Sequence, residues 1–238
     1  TLCGFCLLGF CLYKFNFENF SDKKYYKQII KVGFPISVAI VIEFLSFNSM
    51  AILMGRISGI YAAAQNIIMT LANMSFMFPL AISNAIAVKV GFANGAKNYE
   101  ELTSYIKNGV LITVGFMSMT SIIYATCSKY LASVFTPDTA LISIIIPVMY
   151  FVAAFQVSDG VQVALAGVFK GLKRTKIVMY SNLIAYLMIG VSSGYYCALH
   201  STRHLLAFWA AFSASSFLLS TILIISVLRI LKRLKQAY

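Results

Sequence analysis

Six long apolar runs, separated by short polar segments, organise this chain. They cover residues 32–54, 61–88, 109–127, 141–168, 177–199 and 205–227. Each reaches the length of about 20 residues that a helix needs to cross a ~30 Å hydrocarbon core. Inside lipid every backbone N–H and C=O must find an internal partner, so runs of this length predict transmembrane α-helices. The connecting segments 55–60, 89–108, 128–140, 169–176 and 200–204 are too short to hold a soluble domain. The expected fold is an all-α polytopic membrane protein, a six-helix transmembrane bundle over 32–227. Before it come an apolar stretch, 1–13, and a polar linker, 14–31. After it comes a basic tail, 228–238. The stretch 1–13 is too short to span and reads as the truncated end of a preceding transmembrane helix.

Composition agrees with the pattern. Of the 238 residues 60 % are hydrophobic and 11 % charged, with a mean hydropathy of +0.84. Soluble domains are about 45–50 % apolar and about 25 % charged, so a soluble enzyme, a secreted disulfide scaffold and a disordered chain are all excluded. The net charge of +12 would suit a nucleic-acid binder in a soluble protein, but its distribution points to the bilayer. Alternating the spans sorts 16 of the 19 basic residues onto one side: those of the linker, of the loops 89–108 and 169–176, and of the tail. Arg56, Lys129 and Arg203 fall on the other. By the positive-inside rule the linker and the C-terminus are cytoplasmic. This predicts a multi-pass protein of the plasma (inner) membrane, with the lipid bilayer as a partner and no nucleic acid.

The acids carry the chemistry. Five of the seven lie in polar segments, whereas Glu43 falls inside the first span and Asp159 inside the fourth. At 1.5 Å per residue Glu43 is about 16 Å from the nearer end of its run, close to mid-depth. A carboxylate there costs at least ~2.5–3.5 kcal/mol. Reversible neutralisation by a proton or a small cation would give such a group a function. A structural hydrogen bond is the alternative reading. Helical spacing sets Ser46, Phe47 and Met50 on the face of Glu43, and sets Gln156 and Gln162 at i−3 and i+3 from Asp159. These five are candidate cavity-lining residues. No Lys or Arg lies in a span core to pair with either acid, which favours a mobile cation as the partner.

Other motifs add less. Cys3-x-x-Cys6 has redox or metal spacing but no second ligand pair, and reads as small apolar residues of a helix. His200 and His204 have i,i+4 metal spacing without a third ligand, so no metal site is expected. Gly55/Gly59 and Gly167/Gly171 could admit close helix approach, and Pro35, Pro79 and Pro147 should kink or delimit spans. Asn48, Gln65, Asn66, Asn73 and Asn84 suit interhelical hydrogen bonds or ligand contacts equally. Neither a P-loop nor a hydrolase arrangement occurs, so the chain is read as a non-enzyme without a cofactor, apart from a transported ion.

Three stretches carry a resemblance. GFPISVAIVIEF from Gly33, GRISGIYAAAQNI from Gly55 and PLAISNAIAVKVGFANGAKNYEE from Pro79 resemble the seventh and eighth spans of multidrug and toxic compound extrusion (MATE) transporters. FQVSDGVQVALAGVFKGLKRTKIVMYSNLIAYLMIG from Phe155 resembles their tenth and eleventh. The likeness runs over about 33–196. It implies that the six spans are the family's seventh to twelfth, the C-terminal lobe of a twelve-span fold whose N-terminal lobe is missing here. It also implies secondary active efflux of small amphiphilic or cationic substrates by Na⁺ or H⁺ antiport, with Glu43 and Asp159 as the coupling acids. The loop after the fourth span departs from the family's RG-x-x-D-T…Pro pattern. Lys170 stands for the Arg, Arg174 for the Asp and Val178 for the Pro. Two other readings stay open. A lipid-linked oligosaccharide flippase of the same superfamily would favour a basic cavity. A non-transporting membrane fragment would lack the other lobe.

Overall fold

The computed structural model describes residues 23–237. The stretch read as a truncated span, the first part of the linker, and Cys3, Cys6 and Cys11 lie outside the described residues. Helix α1 runs over Lys23–Ile57, α2 over Gly59–Gly95, α3 over Tyr99–Thr126, the short α4 over Ser128–Phe135 and α5 over Thr139–Gly171. Helix α6 (Lys176–Asn182) continues through a π-helical segment, Leu183–Val191, into α7 (Ser192–His200), and α8 spans His204–Ala237. Among the described residues, six helical stretches are long and apolar enough to cross a membrane: Ile29–Ile57, Gly59–Gly95, Tyr99–Thr126, Thr139–Gly171, Lys176–His200 and His204–Gln236. The protein is an all-helical, multi-pass membrane protein.

The helices outrun the apolar runs. Hydropathy reports the part that sits in hydrocarbon, whereas the backbone stays helical until a cap ends it. The segment 89–108 is therefore almost entirely helix, broken only around Asn98, whose side chain caps α3 by accepting from Glu101 N at 3.1 Å. Glu100 and Glu101 in the first turn of α3 complement the positive helix end. Asp138 caps α5 in the same way, accepting from Ala140 N at 2.9 Å. Helix α1 begins at Lys23, inside the stretch read as a linker, and the basic tail is the last three turns of α8. Two turns use a lysine where glycine is usual: Lys97 and Lys173 have φ of 55° and 56°. Each follows a helix end closed by a reach-back bond, Asn98 N to Ala93 O at 3.0 Å and Arg174 N to Phe169 O at 2.9 Å.

Helix α5 is the core of the bundle and packs on α2, α3, α4 and α8. Its contact with α2 is backbone-close. A Cβ on Gly167 would lie 2.3 Å from Ser83 O, and one on Gly171 would lie 2.7 Å from Ala87 O. The pair Gly167/Gly171 thus works as a small-residue seam, whereas Gly55 and Gly59 face open space. Hydrogen bonds tie the elements together: Ser121 Oγ to Ala153 O at 2.7 Å, Ser220 Oγ to Ser158 O at 2.8 Å and Thr175 Oγ1 to Val32 O at 3.0 Å. Lys31, Lys170 and Lys173 border one groove, and Arg203 borders another at the opposite end with Tyr61 and Pro147.

Candidate functional site

Glu43 is the middle residue of the span Ile29–Ile57, and Asp159, 3 % exposed, lies just past the middle of α5. Folding brings them within electrostatic range of each other. Between α1, α2, α5 and α6 lies a cavity of about 70 Å³, lined by Glu43, Phe76, Leu80, Ser83, Gln162, Lys170 and Asn182 among others. Drug-sized ligands need several hundred Å³. This space suits an ion with a water or two.

Gln162 is the hinge of the polar arrangement. Its Nε2 donates to Asp159 Oδ1 at 2.8 Å and to Tyr186 Oη at 2.8 Å. Tyr186 stands in the π-helical segment, where the extra residue per turn shifts the register of side chains. Its ring stacks on Phe212 with centroids 5.1 Å apart. Ser158, on α5 beside Asp159, meets Ser216 of α8 at 2.9 Å. The carboxylate thus sits in a polar seam running from α5 across to the π-helical segment and α8.

The other candidate residues go elsewhere. Spacing of i−3 and i+3 puts Gln156 and Gln162 about 120° apart around the helix. Gln162 turns to the acids, whereas Gln156 turns to Tyr124 of α3 and leaves its Nε2 unpartnered. Ser46 is fully buried and donates to its own helix, to Ile42 O at 2.8 Å. Met50 is fully buried in the apolar core. Phe47 joins an aromatic cluster, 5.9 Å from Phe155 and 4.9 Å from Phe212. None of these four lines the cavity at Glu43. Helical spacing fixes which side of α1 or α5 these residues share, but not what that side meets.

Lys170 requires a correction. The hydropathy pattern places it in the segment 169–176 between two spans and leaves no basic residue near the acids. Helix α5 continues through it, its side chain lines the cavity of Glu43, and the two charges attract. Ser83, Asn182 and Tyr186 carry no pattern of their own along the chain and are ordinary helix residues until the fold gathers them. His200 and His204 make only local bonds, to Tyr196 O and Ala198 O, and among the described residues no cluster of His, Cys, Asp and Glu could hold a metal.

Helix α2 adds a second feature. Asn66, Thr70, Asn73 and Asn84 are all exposed and fall within one narrow stripe at 100° per residue. Amide side chains are poor company for lipid tails, so this face is suited to water or protein.

A six-span helical bundle with two carboxylates at mid-depth, Asp159 buried and Glu43 half-buried, defines a polytopic membrane protein built around intramembrane charge. A family model described as MatE matches residues 35–196. The chain belongs to the MatE family. Among curated relatives, a probable multidrug resistance protein NorM of Mesorhizobium japonicum is 32 % identical over 214 residues, covering 88 % of this chain and 46 % of that protein. Another, from Idiomarina loihiensis, is 29 % identical over 224 residues, covering 92 % and 48 %. The chain therefore spans about half the length of the curated relatives it matches. Among solved structures, an outward-facing multidrug resistance MATE family transporter of the MOP superfamily superimposes with a TM-score of 0.83 at 15 % identity, over 93 % of this chain and 50 % of that one. A eukaryotic MATE transporter gives 0.83 at 17 % identity, over 98 % and 55 %. These likenesses establish the fold.

Proposed function

We propose that this chain is the C-terminal lobe of a secondary active transporter that exports small amphiphilic or cationic compounds in exchange for Na⁺ or H⁺. The observation that carries the reading is that Glu43 and Asp159, 116 residues apart in sequence, lie within electrostatic range of each other, with Glu43 lining a cavity of ionic size. Packing alone would favour apolar residues at both positions. A pair that must be neutralised in hydrocarbon responds to an ion gradient. Binding a cation changes the relative stability of lobe conformations, and alternating access turns that change into transport. The exposed amide stripe of α2 fits a wet cleft facing an N-terminal lobe, where the exported compound would bind. The resemblance to NorM proteins supports the substrate class. The charge sorting supports a plasma-membrane protein with its C-terminus in the cytoplasm.

A lipid-linked pyrophosphate would meet two carboxylates at this site against a single lysine, which disfavours flipping of such a substrate. The test is ethidium efflux by the full-length transporter that contains this lobe. Glu43→Gln and Asp159→Asn should each abolish efflux at unchanged expression. Normal efflux by both would overturn the proposal.

A further inference from the structure

The cavity at Glu43 holds more oxygen than its hydrogen bonds use. Ser83 Oγ and Asn182 Oδ1 are buried and have no hydrogen-bond partner, and both residues line the cavity. The orientation of Asn182 follows from its amide nitrogen, which donates to Ala39 O at 3.3 Å and so assigns the free end to oxygen. Gln162 lines the same cavity, with its nitrogen committed to Asp159 and Tyr186. A buried oxygen without a donor is costly. A proton on the Glu43 carboxyl supplies a single donor, enough for one of these oxygens at most, whereas a hard cation would use them both.

We propose that Ser83 and Asn182 are neutral oxygen ligands of the transported cation, joining Glu43, and that Lys170 is the fixed counter-charge that limits the site to one monovalent ion, Na⁺. Glu43 feels both the Asp159 carboxylate and the Lys170 ammonium, and two carboxylates with one ammonium leave a single negative charge to balance. A divalent ion would overshoot it. The remaining charged neighbours, Lys31 and Lys173, border the adjoining groove with Lys170 and add no negative charge. This inference rests on the reading of Glu43 and Asp159 as the coupling acids, and names the ion and its further ligands.

The experiment uses the purified full-length transporter at fixed pH and ionic strength, with choline replacing Na⁺, and reads the thermal midpoint against Na⁺, K⁺ and Ca²⁺. The same Na⁺ series is repeated for ethidium exchange in liposomes without a pH gradient. Na⁺ should raise the midpoint saturably where K⁺ and Ca²⁺ do not, and Glu43→Gln should remove the response. Ser83→Ala and Asn182→Leu should each raise the half-saturating Na⁺ about tenfold, the loss of one oxygen contact. Lys170→Met should lower it about tenfold by removing a nearby like charge, and Lys170→Arg should behave as the parent. If Asn182→Leu does not fold, Ser83→Ala and Lys170→Met carry the test. Unchanged half-saturation in both would overturn the ligand assignment. A parent indifferent to Na⁺ but driven by a pH gradient would overturn the Na⁺ site while leaving the acid pair as coupling groups. Efflux that survives Glu43→Gln and Asp159→Asn would instead strike the underlying reading.

Discussion

Gln162 holds Asp159 from one helical turn further along α5, its Nε2 lying 2.8 Å from Asp159 Oδ1. The same nitrogen reaches Tyr186 on the neighbouring span at 2.8 Å. One amide therefore links the fourth span's acid to the fifth span. Gln162→Leu should leave the bundle folded, because interhelical hydrogen bonds in membranes average only about 0.6 kcal/mol. It should shift the cation dependence of exchange by about fivefold or more, since a buried carboxylate loses its donor. The check is the half-activating cation concentration in liposomes, beside the thermal midpoint.

Close approach of α2 and α5 depends on the missing side chains of Gly167 and Gly171. Gly167→Ala should destabilise the protein by about 1–3 kcal/mol, because its Cβ would lie 2.3 Å from a backbone oxygen that cannot move alone. Gly55→Ala meets nothing within 4 Å and should stay within about 0.5 kcal/mol of the parent. Thermal unfolding of the pair in the same detergent distinguishes a seam from a mere glycine.

Lys97 occupies a left-handed turn with φ of 55°, a conformation that costs most L-residues about 1–2 kcal/mol. Lys97→Gly relieves it, while the freer unfolded chain returns about 0.4–1 kcal/mol. A net gain of about 0.5–1 kcal/mol should appear as a raised thermal midpoint with unchanged exchange.

The bond from Trp209 Nε1 to Gln65 Oε1, 2.9 Å long, joins α8 to α2 in the buried core. Trp209→Phe should cost stability beyond its lost packing, because Gln65 would then have neither end satisfied; its Nε2 already lacks a partner. Gln65→Leu in that background should recover part of the loss, since removing both partners is milder than orphaning one. A double-mutant cycle on thermal midpoints gives the coupling, expected between about 0.5 and 1.7 kcal/mol.

Much of this protein is written along its chain. Six spans follow from six apolar runs, because a hydrocarbon core of fixed thickness demands a fixed length of apolar helix. The presence of Glu43 and Asp159 at mid-depth follows by counting residues. Both properties are sums over neighbours in sequence. What Glu43 meets is not such a sum. Gln156 and Gln162 look alike from the chain, yet one faces Tyr124 and the other Asp159, because the helices packed around α5 differ. Lys170 passes for a loop residue until α5 is seen to continue through it, since helix ends are set by caps rather than by hydropathy. Ser83, Asn182 and Tyr186 carry no signal of their own. Tertiary packing alone turned them toward the acids: a site in a bundle is made where faces of several helices converge, and residues far apart in sequence can share a cavity only when those helices pack.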